Sequence, residues 1–68
     1  MKAVSGKHLA RVLGRRGWEL VRTRSSHHVY RSPDGRVQVV IPIHGNKDLK
    51  NGMQADLMKQ AGLIEDDL

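Results

Sequence analysis

The sequence predicts a small α+β domain with the element order helix, strand, strand, strand, helix. Three observations carry that prediction. Leu9, Val12 and Leu13 recur at helical spacing between Ser5 and Gly17. Arg36-Val37-Gln38-Val39-Val40-Ile41 is a β-branched run that follows the turn residues Ser32-Pro33-Asp34-Gly35. Met53, Leu57, Met58 and Ala61 return to helical spacing just before Gly62. A chain of 68 residues suits one domain, expected over 1–68, with a thin core.

Ser5 is a good N-cap, and Val4 before it can staple onto Leu9. Arg11, Arg15 and Arg16 turn away from the apolar stripe. Gly17 suits the left-handed position after a helix, with Trp18 packing back on Leu13, so the first helix is expected over about 6–16. Strands are expected over about 18–23, 26–31 and 36–41. The tight turn Pro33-Asp34-Gly35 joins the last two.

Two registers suit that hairpin. A three-residue loop sets Val29 opposite Val39 and His27 opposite Ile41, whereas a two-residue loop sets His28 opposite Val39 and Tyr30 opposite Val37. The first is preferred because it gathers Val29, Val37, Val39 and Ile41 on one face. Pro42 is expected to end the ladder. Asn51 and Gln54 have capping-box spacing for a second helix over about 51–61, closed by Gly62 with Leu63 folding back on Met58. The acidic end Glu65-Asp66-Asp67 is expected to fray. A three-stranded antiparallel meander with both helices on one face covers the apolar side of the sheet economically. That is the layout of the double-stranded-RNA-binding domain.

Charge is distributed unevenly. Residues 1–36 hold nine Lys and Arg against Glu19 and Asp34, a net of +7. The remainder holds three Lys against five acids, a net of −2, in agreement with the total of +5. A pI of about 10.3 favours nucleic acid or another polyanion as partner. The absence of cysteine excludes disulfides and thiolate zinc sites. No apolar run suggests a signal peptide or a membrane span, so a soluble cytoplasmic protein is expected.

The chemistry concentrates between residues 22 and 31. Arg22, Arg24 and Arg31 surround Ser26, His27, His28 and Tyr30. Imidazole exchanges protons near neutral pH, and guanidinium donates paired hydrogen bonds to phosphate. RNA cleavage by 2′-hydroxyl attack needs a base, an acid and cations around the phosphorane. His27 or His28 can serve as base or acid. Adjacent strand residues point to opposite faces, so only one of them meets the phosphate. Lys47 and His44 can contribute from the following loop. Four histidines without paired spacing, and no acid near His27, speak against a metal site. His8 reads as an exposed helix residue, and Gly17 as a helix terminator rather than part of a phosphate loop. Trp18 reads as core. No cofactor is expected.

The residues also match a known family. Ser26-His27-His28-Val29-Tyr30, the turn Pro33-Asp34-Gly35, the stretch Ile41-Pro42-Ile43-His44-Gly45-Asn46-Lys47-Asp48-Leu49 and the helix end Lys59-Gln60-Ala61-Gly62-Leu63 together resemble the HicA toxins of HicA–HicB toxin–antitoxin modules. The resemblance implies a double-stranded-RNA-binding-domain-like fold and a ribosome-independent mRNA interferase. It places the essential histidine of a Gly-Ser-His-x-x-aromatic pattern on His27, as general acid/base, with Tyr30 as the aromatic. It also implies a HicB-type antitoxin that covers this region in a hetero-oligomer. One position departs: Ser25 stands where the family usually has glycine, at a cost in backbone freedom. Arg22, Arg24, Ser26, Tyr30, Arg31 and Lys47 are the expected RNA contacts, with His28, His44 and Lys47 as candidates for the proton relay. The competing reading is a non-catalytic RNA-binding module of the same fold.

Overall fold

The computed structural model describes residues 2–68, so Met1 of the expected domain lies outside the described residues. The chain runs α1 (Gly6–Arg15), β1 (Glu19–Arg24), β2 (His27–Arg31), β3 (Gln38–Pro42) and α2 (Asn51–Ala61), followed by a 3₁₀ turn at Glu65–Asp67. The strands form one antiparallel sheet in the order β1-β2-β3. Leu9, Val12 and Leu13 of α1 and Leu57 and Met58 of α2 join Val39 and Ile41 in one buried cluster, so both helices lie on the same side of the sheet.

The first helix is capped as its residues dictate. The Ser5 hydroxyl accepts the His8 amide at 3.0 Å, and Val4 is buried beneath it. At the other end the Trp18 N–H donates to the Leu13 carbonyl at 3.0 Å across Gly17, whose φ is 88°, which is a Schellman closure. Trp18 packs against the core. A Cβ on Gly6 would stand 2.1 Å from the Pro42 carbonyl oxygen, so the missing side chain lets α1 start directly against the end of β3.

The β2–β3 register differs from both expected ones. His28 pairs with Ile41, Val29 with Val40 and Tyr30 with Val39. The cause is a longer loop held by its own polar groups. The Ser32 N–H donates to the Val37 carbonyl at 2.8 Å, and the Val37 N–H donates to the Ser32 hydroxyl at 3.0 Å. Asp34 accepts from the Ser32 hydroxyl at 2.5 Å and from the Arg36 amide at 3.0 Å. Arg36 and Val37 are thereby drawn out of the strand, which begins at Gln38. Val29 moves away from the core face, contrary to expectation. The ladder ends at Pro42, the partner of His27, as expected, and the Ile43 N–H donates to the Ser26 carbonyl at 2.7 Å just beyond it.

Helix α2 departs from the capping-box expectation. Lys50 is its N-cap and makes no side-chain cap bond. Gln54 is instead fully buried, at 0% exposure. Its oxygen accepts the Val4 amide at 3.0 Å and its nitrogen donates to the Lys2 carbonyl at 2.6 Å, so it ties down the segment before α1. Met53, expected in the apolar face, is exposed, because Gln54 takes the inward position. Gly62 closes the helix at φ 69°, and the Leu63 N–H donates to the Met58 carbonyl at 2.8 Å, as expected. The acidic end does not fray. Asp67 accepts the Ile64 amide at 2.7 Å and forms an ion pair with Arg16. His8 is half-buried beside it, with Nε2 2.9 Å from the Leu68 main-chain oxygen.

Candidate nucleic-acid interface on the open sheet face

Residues paired across strands project to the same side of a sheet, and successive residues to opposite sides. Val39 and Ile41 belong to the core, so their partners Tyr30 and His28 share the helix side. Tyr30 packs against the core there. The structure thus separates Tyr30 and His28 from His27, which lies on the opposite, open side.

Three cross-strand rows make up the open side. Nearest the β1–β2 turn stand Arg24, His27 and Pro42; next come Arg22, Val29 and Val40; last are Glu19, Arg31 and Gln38. A shift of register between Leu20 and Arg22 returns both Arg22 and Arg24 to this face. Val29 is only 5% exposed although no helix covers it, because it lies mid-face in the central strand between Arg22 and Val40. Val40 is 49% exposed. Arg31 is tied to Glu19 at 3.1 Å. Among the described residues Arg22 and Arg24 have no ion pair, so their charge is available to a ligand.

The β1–β2 connection is a two-residue hairpin, Ser25-Ser26, between the paired residues Arg24 and His27. Ser25 adopts φ 55°, a left-handed conformation that a hairpin of this length demands at its first corner. The turn that glycine would make easily is therefore kept with serine. Ser26 is half-buried, and its carbonyl anchors Ile43. That bond carries the following segment past the turn, which brings His44 to the end of the sheet where His27 stands.

His44 and Lys47 line a recess of about 240 Å³ between the loop after β3 and the first turn of α2. Pro42, Asp48, Leu49, Lys50 and Met53 complete it. Sequence reasoning singled out His44 and Lys47 but not Asp48, Lys50 or Met53. The charged run Lys47-Asp48 with Lys50 was a legible signal. Met53 offered none, since helical spacing assigns it to the core. No group of three or more His, Cys, Asp or Glu side chains able to hold a metal ion occurs among the described residues. No helix of the described chain is long and apolar enough to cross a membrane.

Comparison with curated proteins returns no match. Comparison with protein families matches residues 6–63 to the family described as HicA toxin of bacterial toxin-antitoxin. The match spans both helices and all three strands. This chain therefore belongs to the HicA toxin family of bacterial toxin–antitoxin systems.

Proposed function

We propose that the protein is a cytoplasmic toxin that cleaves mRNA without a metal ion, using His27 as general acid/base on the open sheet face. The observation that carries this reading is the placement of exposed His27 beside Arg24 and one row from Arg22, on a face that no helix covers. In this reading His27 takes the proton from a ribose 2′-hydroxyl, whose oxygen attacks the adjacent phosphorus. The P–O5′ bond breaks, and the departing 5′ oxygen receives a proton from a second group. Arg22 and Arg24 offset the charge that builds on the non-bridging oxygens. The products are a 2′,3′-cyclic phosphate and a 5′-hydroxyl.

For the second proton transfer His44 is favoured over His28, because His28 lies on the helix side. Lys47, beside His44 in the recess, is the alternative donor. An antitoxin of the HicB type is the proposed partner. An open face that carries arginines and the exposed Val40 suits an acidic surface with an apolar centre, which would bury His27 in a hetero-oligomer.

The test is cleavage of a long single-stranded RNA in excess EDTA by the parent and by His27→Ala. Cleavage by the parent alone, with cyclic phosphate ends, is the expected result. Cleavage by both proteins would displace His27 from the mechanism, and 3′-hydroxyl ends would exclude 2′-hydroxyl attack. RNA binding by both proteins without cleavage would leave a binding module.

A further inference from the structure

We propose that the recess lined by His44, Lys47, Asp48, Leu49 and Met53 is a slot for one unpaired RNA base that carries an amino group, next to the phosphate held at His27. The slot rests on the ribonuclease reading for its purpose, and on its own geometry for its ligand. Position comes first. Pro42 lines the recess and is also the ladder partner of His27. One residue of β3 therefore joins the two places, and an RNA strand that crosses the sheet at His27 meets the recess next.

Size narrows the ligand. At about 240 Å³ the recess falls below the range of about 300–1,000 Å³ typical of drug-sized ligands, so it admits one ring system rather than a stacked pair. The composition of its wall suits a base. Pro42, Leu49 and the exposed Met53 supply apolar surface, and the His44 imidazole supplies a flat face for stacking. Lys47, with Lys50 beside it, can meet the phosphates on either side of the base.

Asp48 gives the slot its selectivity. A carboxylate repels phosphate but accepts hydrogen bonds from base amino groups. Its main chain is fixed by pairing with Ser5, so the carboxylate is carried on an anchored backbone. Guanine fits best, because N1–H and the exocyclic amino group can donate together to the two carboxylate oxygens. Uracil has no amino group and fits worst.

Two measurements decide the proposal. In the first, methyl NMR of the parent protein is titrated with each of the four 5′-mononucleotides. The Met53 and Leu49 methyls should move most with GMP and least with UMP, and Asp48→Asn should erase that order. Equal responses to all four, or shifts confined to the open sheet face, would overturn the slot. So would movement of these methyls only with a short polyglutamate peptide, which would assign the recess to a protein partner. In the second, cleavage sites are mapped on a random-sequence RNA. One position beside the cut should favour an amino-bearing base by about tenfold, and among the cuts that Asp48→Asn makes that preference should be flat. An unchanged preference in Asp48→Asn would overturn the slot. If the parent leaves RNA intact, the ribonuclease reading fails on its own, and the NMR titration still decides whether the recess binds a base.

Discussion

Stability at the level of single residues is testable at two positions, Ser25 and Gln54. Ser25 sits at φ 55°, where an L-residue with a Cβ is strained by about 1 kcal/mol or more. Ser25→Gly should therefore raise stability by up to about 1 kcal/mol, after glycine's greater loss of chain entropy, and Ser25→Val should lower it. Chemical denaturation of the three proteins checks the order Gly above Ser above Val. Gln54 is the second case. It is the buried polar partner of both the Val4 amide and the Lys2 carbonyl, and no buried side-chain polar atom is left without a partner among the described residues. Gln54→Ala should cost about 3 kcal/mol, from a cavity together with backbone groups left unpaired. A shift of the denaturation midpoint measures it. A loss under 1 kcal/mol would mean that water replaces the amide at little cost.

At the scale of elements, the loop between β2 and β3 decides which side chains face the helices. Its closure depends on Asp34, whose carboxyl is held below the ordinary carboxylate range by the Ser32 hydroxyl and then by the Arg36 amide. A carboxyl with a lower pKa folded than unfolded adds stability above its unfolded value, near pH 4. That contribution fades as pH falls through the lower folded value. The thermal midpoint should accordingly fall on acidification below about pH 4. Asp34→Asn should show a shallower fall, because an amide does not titrate. Equal acid limbs in the two proteins would remove Asp34 from the account. The edge strand β1 contributes otherwise: all six of its residues are exposed, so it supplies arginines to the open face and little to the core.

Over the whole molecule, two layers divide the work. The helix layer buries the apolar side of the sheet, which leaves the other side free to hold Arg22, Arg24 and His27 together. With a net charge of +5, RNA affinity should fall as salt rises. For a single strand, each phosphate contact contributes about 0.7 to the slope of log affinity against log salt. Arg22→Ala and Arg24→Ala should each reduce the slope by about that amount, and Arg11→Ala, in the helix layer, should leave it unchanged. Fluorescence anisotropy with a labelled single-stranded RNA over a salt series measures all three. If the slope survives without Arg22 and Arg24, the RNA lies elsewhere.

Local chemistry was legible in the chain itself. The Ser5 cap, the Gly17 and Gly62 terminators, the order of the five main elements and the clustering of arginines around His27 all follow from residue type and near-neighbour spacing. Their energetics act over one turn or one ladder step, so a short window of sequence contains them. The faces were not legible. A strand's side-chain period is two, and one extra loop residue reverses every assignment. Hydrogen bonds closed on the Ser32 hydroxyl and the Asp34 carboxylate lengthen the loop, which moves Val29 to the open side and sends Tyr30 and His28 to the helix side. Contacts between distant segments were equally hidden: Gln54 on Val4, Asp67 on Arg16, and the recess that joins the loop after β3 to α2. Residue types decided what the open face can do. Only tertiary packing decided which side chains stand on it, because a face is a property of paired strands and not of any one of them.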